Sequence, residues 1–208
     1  MDDYVKRKNP FGWNNTIILI CLIIYIIKII CLYFLKFNLI DIFLALNPAY
    51  ILLMPWQILT SIFVHADFWH LFINMFVLFF FGSELERRLG SKKYLTIFFA
   101  SGISGSLAYI FYSFLTNHFI PAMGASAAIF GVMGALAMIA PETKVIIFPI
   151  PIPISIRFAI IIFALYDLIF LPFTYGTGVA HISHLAGLAV GLYFGRRYRV
   201  RRIFYGYY

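Results

Sequence analysis

Between Thr16 and Leu35 twenty consecutive residues carry a single charge, Lys28. As a helix this run is about 30 Å long, the thickness of a bilayer's hydrocarbon core. It is too long for a signal peptide's apolar region and has no small-residue cleavage site, so it reads as a first membrane span. Further apolar runs occupy about 68–83, 94–116, 126–140, 156–171 and 179–195. With 63% hydrophobic and 12% charged residues, a soluble domain of this length could not hide its apolar surface. The pattern predicts an all-α polytopic membrane protein with six transmembrane helices in one bundle. Residues 1–15 form a short N-terminal segment, 16–195 the bundle and 196–208 a basic tail. Residues 36–67 are interrupted by Asn38, Asp41, Asn47, Pro48, Pro55, Gln57, His65 and Asp67. They read as a first loop of short amphipathic pieces lying in the membrane interface.

The net charge of +8 raises the question of nucleic acid, but the charge lies in short clusters beside apolar runs. Fourteen of the 16 Lys and Arg residues fall at 6–8, 87–93, 144–157 and 196–202. With six spans these clusters share one side, which the positive-inside rule makes cytoplasmic, both termini included. The partner implied is the lipid bilayer, not nucleic acid. Lys28 reads as a side chain that snorkels to the nearer surface. Cys21 and Cys31, about 15 Å apart along a helix, are too distant to pair.

The chemistry centres on Pro121-Ala122-Met123-Gly124-Ala125-Ser126-Ala127-Ala128-Ile129-Phe130-Gly131. Ser126 opens a 15-residue apolar run that ends at Pro141. At roughly 22 Å this run is shorter than a bilayer core, so the hydroxyl falls below the membrane surface. His70 and Asn74 stand at i and i+4, on one face of the second span. His184, Gly187 and Gly191 share a face of the sixth, and Gly187, Gly191 and Gly195 form a GxxxG stripe. Ala127, Gly131 and Ala135 make a matching stripe on the serine helix, and packing the two brings His184 toward Ser126. A serine hydroxyl needs a base, and its tetrahedral intermediate needs donors. His184 supplies the base; the Ser126 N–H, His70 and Asn74 supply the donors. No acid is well placed to orient His184, so the sequence points to a Ser126–His184 dyad, with Asp167 as a buried structural partner. A zinc protease motif HExxH is absent, as is the Gly-x-Gly-Asp of intramembrane aspartyl proteases, and no internal repeat suggests a transporter. No metal or cofactor is called for.

The motifs His70-x-x-x-Asn74, Glu86-Arg87-Arg88-Leu89-Gly90, Gly124-Ala125-Ser126-Ala127 and Ser183-His184-x-x-Gly187-x-x-x-Gly191 resemble the rhomboid intramembrane serine proteases over roughly residues 55–195. The resemblance implies a six-helix rhomboid bundle in a prokaryotic plasma membrane, with the site opening to the non-cytoplasmic side. It implies Ser126 as nucleophile and His184 as base and acid. His70 and Asn74 become oxyanion donors, with Gly124, Phe130, Gly187 and Gly191 supporting the site. It also implies a Glu86–Arg88 structural pair and the cleavage of single-span membrane-protein substrates. Where the family often has Trp-Arg in the first loop, this chain has Trp56-Gln57. The alternative is a catalytically inactive rhomboid-like protein that binds client transmembrane helices.

Overall fold

The computed structural model describes residues 11–147 and 150–205. Helix α1 (Trp13–Leu35) begins after Gly12, whose φ of +84° only glycine adopts easily. Two of its first N–H groups, which no helix can satisfy internally, donate to one carboxylate. Trp13 N–H reaches Glu86 Oε1 and Asn14 N–H reaches Glu86 Oε2, both at 3.0 Å. A negative charge there also suits the positive end of the helix dipole. Asn14 is buried; its amide donates to the Leu78 carbonyl and Ser83 Oγ, and its oxygen accepts from the Tyr94 hydroxyl at 2.6 Å.

The second span is one continuous helix, Phe68–Leu89. It is built from α4 (Phe68–Val77), a wide π turn at Leu78–Gly82 and α5 (Ser83–Leu89). The π turn lies at the Asn14 contact. Helix α6 (Ser91–Thr116) follows directly. Helix α7 (Ser126–Ile139), a hairpin of β1 (Lys144–Ile147) and β2 (Ile150–Ser155), helices α8 (Ile156–Phe170) and α9 (Thr174–Thr177), and α10 (His181–Tyr205) complete the chain. The alternating prolines suggested an extended connector; β1 and β2 instead pair antiparallel, with Lys144 opposite Ser155. Prolines are tolerated there because each strand has a free edge. Phe148 and Pro149, within the proline stretch, lie outside the described residues.

The expectation of six transmembrane helices is corrected. Among the described residues four helices are long and apolar enough to cross a membrane: Trp13–Leu35, Phe68–Leu89, Ser91–Thr116 and Ile156–Thr177. Helix α7 has 14 residues, about 21 Å, and is almost wholly enclosed by protein. Helix α10 is longer, but its second half carries Arg196, Arg197, Arg199, Arg201 and Arg202. An enclosed helix is selected for close packing rather than for matching the bilayer. The four long helices turn large apolar side chains outward, among them Ile26, Phe72, Phe76, Phe111 and Ile161. The chain is an integral membrane protein.

The first loop folds into α2 (Leu39–Leu44), a 3-10 turn at Pro48–Tyr50, α3 (Gln57–Thr60) and a second 3-10 turn at Ser61–Phe63. Gln57, where an arginine is frequent, is buried and bridges the loop. Its Oε1 accepts from Asn47 N–H and its Nε2 donates to the Ile42 carbonyl, each at 2.9 Å. Lys28 does not snorkel. It is 3% exposed and donates to Asp41 Oδ2 at 2.9 Å, the His65 carbonyl at 2.8 Å and the Ala66 carbonyl at 3.0 Å. The loop lies against α1 and offers three acceptors, so the ammonium is satisfied inside the protein.

Helices α6, α7 and α10 form the centre. At Gly187 a β-carbon would run into the Ala127 carbonyl, and at Gly191 into the Gly131 carbonyl. At Gly195 it would lie 2.7 Å from the Ala135 Cα. Ser183 Oγ, donating to the Gly105 carbonyl at 3.0 Å, fastens α10 to α6. The Glu86–Arg88 pair is not formed. Residues two apart on a helix point away from each other; Arg88 instead meets Glu84, four residues earlier, and Glu142. Glu86 faces inward to cap α1.

Gly191→Val is expected to cost about 3 kcal/mol through overpacking, because the added methyls meet backbone that cannot move aside. Gly176→Ala, where a β-carbon meets nothing within 4 Å, is expected to stay within about 0.5 kcal/mol. Thermal unfolding of both variants in detergent checks the contrast.

Candidate active site

Ser126 is the first residue of α7. The segment leading to it is pinned by the first loop. Leu46 and Ala122 exchange backbone hydrogen bonds at 2.9 Å, and Gly124 N–H donates to the Ser61 carbonyl at 2.9 Å. Gly124 has φ +127°, which disfavours any side chain. A β-carbon there would also lie 2.7 Å from His70 Nε2 and 3.8 Å from Asn74 Nδ2. The glycine therefore leaves both polar side chains of α4 facing the backbone just ahead of the serine. Asn74 is held by its own helix, its amide donating to the His70 carbonyl at 3.0 Å. His70 N–H is capped by the Asp67 carboxylate. As the first residue of α7, Ser126 has an N–H with no acceptor inside the helix.

His184 lies one turn into α10. Its Nε2 is 2.8 Å from Ser126 Oγ. Its ring stacks on Phe130, with centroids 4.5 Å apart and planes 13° apart. The structure thus brings Ser126, His184 and Phe130 into direct contact. Gly187 and Gly191 hold α10 against α7 beneath them. His70 and Asn74 face Gly124 from the other side.

The expectation that no acid stands near His184 is corrected. Asp167, on α8 and 1% exposed, places Oδ1 and Oδ2 at 3.1 and 3.2 Å from His184 Nδ1. Its Oδ1 also lies 2.6 Å from Nδ1 of the buried His181, whose Nε2 is 3.0 Å from Thr177 Oγ1. Depth arithmetic could have found this. Asp167 sits four residues before the end of the fifth apolar run and His184 five residues after the start of the sixth. A short turn between two such runs puts the two at one level.

Two cavities meet at Met123, and one of them reaches the serine. One is lined by Leu46, Ser61, Met123, Gly124 and Ser126. The other is lined by Ala66, His70, Tyr109, Met123, Tyr175 and Val179.

A polar cluster at one end of an all-helical membrane bundle, built on a serine at a helix start, is the architecture of a membrane-embedded protease superfamily. Residues 53–201 match the Rhomboid domain, and the chain belongs to the rhomboid family, whose members act on membrane proteins within the bilayer. It is 32% identical over 141 residues to Rhomboid protein 1, mitochondrial, of Saccharomyces cerevisiae, covering 67% of this chain and 40% of that one. It is 40% identical over 89 residues to Rhomboid protease GluP of Bacillus subtilis, covering 43% of this chain and 17% of that one. It is 42% identical over 81 residues to Inactive RHOMBOID-like protein 8 of Arabidopsis thaliana, covering 39% of this chain and 22% of that one. The chain thus spans less than half the length of these relatives.

His65, at the end of the first loop, is 1% exposed and lies 5.1 Å from the His70 ring. Burial, and secondarily the neighbouring His70, pushes its pKa down to about 3. Folded, this ring takes up no proton between pH 6.5 and 4, whereas in the unfolded chain it does. Stability contributed here is therefore present above pH 6.5 and lost as pH falls, by at most about 1.4 kcal/mol per unit. His65→Gln is expected to flatten the fall in unfolding temperature over that window, measured in detergent.

Proposed function

We propose that the chain is an intramembrane serine endopeptidase cleaving transmembrane segments of single-span membrane proteins, with Ser126 as nucleophile and His184 as base. The observation that carries this reading is the 2.8 Å contact between His184 Nε2 and Ser126 Oγ. As Oγ attacks the scissile carbonyl carbon, its proton passes to Nε2. The resulting oxyanion would accept from the Ser126 N–H, with His70 and Asn74 on its far side. Collapse breaks the C–N bond, and His184 returns the proton to the leaving amine. Water, deprotonated by the same ring, then releases the acyl group and restores the serine. A helical substrate must unwind locally, because its carbonyls are hydrogen-bonded and shielded.

The basic residues support an orientation. The α1 start meets Glu86, Arg88 meets Glu142, Arg157 donates to the Ala137 carbonyl, and Lys93 lies over the Tyr198 ring. All of these lie at the end of the bundle away from Ser126. By the positive-inside rule that end is cytoplasmic, with the site toward the opposite face.

A second reading is a non-hydrolytic binder of client transmembrane helices. The 42% identity to a relative named as inactive favours it.

Purified protein in liposomes with a generic single-span substrate separates the two. Cleavage is expected from the wild type, with complete loss in Ser126→Ala and His184→Ala. Asn74→Ala is expected to lower kcat by about 10²-fold as an oxyanion donor is lost. A wild type that binds the substrate helix yet leaves it intact would establish the second reading instead.

A further inference from the structure

A carboxylate buried in a membrane bundle is costly unless its oxygens are fully engaged. Asp167 is engaged by two imidazoles. Oδ1 accepts from His181 Nδ1 at 2.6 Å, and His184 Nδ1 lies nearly midway between the two oxygens at 3.1 and 3.2 Å. An ionised carboxylate only accepts, so both rings carry their proton on Nδ1. For His184 the consequence is specific: Nε2 keeps its lone pair, and that lone pair faces Ser126 Oγ. The Phe130 stack fixes the ring plane, but a stacked ring can still turn in that plane or take the other tautomer. Asp167 removes both freedoms.

We propose that Asp167 is a positioning residue for His184, holding the imidazole in the tautomer that can accept the serine proton and balancing the charge that develops when it does. His181 is the second donor that keeps the carboxylate in place, with Thr177 behind it. The proposal rests on the hydrolase reading above. The proton stops at His184 Nε2, and Asp167 neither gains nor loses one. The titratable groups around His184 are Asp167 from α8, His181 from its own helix and His70 from α4; α7 contributes Ser126 and Phe130. The three groups Asp167, His181 and His184 also have ligand atoms within 4.8 Å of one another. The 2.6 Å between His181 Nδ1 and Asp167 Oδ1 is nevertheless a hydrogen-bond distance. Two ligands of a tetrahedral zinc ion stand about 3.4 Å apart.

The test uses the full chain in detergent micelles and reads three things. These are the rate of Ser126 labelling by a fluorophosphonate, kcat and KM on a single-span substrate, and the ring N–H signals of 15N-histidine protein by NMR. Asp167→Asn is expected to slow labelling and kcat by about 10²- to 10⁴-fold with KM within twofold, because an amide that donates to Nδ1 favours the wrong tautomer. Asp167→Glu is expected to recover part of the loss. The wild type is expected to show a downfield Nδ1–H signal that His184→Gln and Asp167→Asn each remove. A folded Asp167→Asn protein that labels within threefold of wild type overturns the proposal, and so does the lack of the downfield His184 signal. Should Asp167→Asn fail to fold, Asp167→Glu and the wild-type signal decide. A wild type that neither labels nor cleaves sinks the hydrolase reading. The His184 signal and its response to Asp167→Asn then still decide whether the carboxylate holds the ring.

Discussion

Backbone-to-backbone contact between α7 and α10 is the constraint from which the site follows. Inside a bilayer two helices gain nothing by hiding apolar surface from lipid, so their association depends on how closely they approach. Here Gly187 meets Ala127, Gly191 meets Gly131 and Gly195 meets Ala135, one contact per turn with the helices running parallel. That step leaves no freedom of register. His184 lies three residues ahead of the first contact and Ser126 one residue ahead of it, so a ring of ordinary reach closes the gap to 2.8 Å. Helix α6 braces the pair from outside, with Ser183 bonded to the Gly105 carbonyl. The hydrogen bond of the site is thus set by glycines that take no part in it.

The second constraint is that polar groups far from water must find partners in the protein. Three buried polar residues do so by joining elements distant in sequence. Glu86 ties the start of α1 to α5, and Ser91 Oγ donates to it at 2.7 Å. Asn14 ties α1 to the π turn and to Tyr94. Lys28 ties α1 to the first loop, and through Ser61 and Leu46 that loop pins the approach to Ser126. The loop is therefore part of the scaffold of the serine rather than a loose connection, although only short pieces of it are regular.

How far this could be read from the residues depended on whether a feature was local or relational. The apolar runs, the glycine stripes and the His70/Asn74 face follow from periodicity, and periodicity survives without coordinates. The number of membrane-crossing helices did not follow, because hydropathy cannot distinguish a helix that faces lipid from α7, which faces other helices. Partner choice was also out of reach. Lys28 reads as a surface residue because its three acceptors come from residues 41, 65 and 66, a segment whose path no pattern reveals. Resemblance pairs Glu86 with Arg88, yet helix geometry sends them to opposite faces. Asp167 reads as buried, and depth alone puts it level with His184; that its carboxylate is shared between His184 and His181 appears only once α8 and α10 are packed.

The short α7 connects these points. Its C-terminal end lies at the basic end of the bundle, where Arg157 donates to the Ala137 carbonyl at 3.1 Å. A helix of about 21 Å starting there stops roughly 9 Å before the far side of a 30 Å hydrocarbon core. The polar groups of the site gather at that level: Ser126, His184, Asp167, His181, His70 and Asn74, with His65 just behind. A longer α7 would carry its N-terminus to the surface, beyond the depth that the glycine register gives His184. A charged cluster at that depth would be intolerable if it faced lipid. It is tolerable because α4, α8 and the first loop wall it off. The helix too short to span the membrane is thus the one whose length sets the depth of the polar cluster.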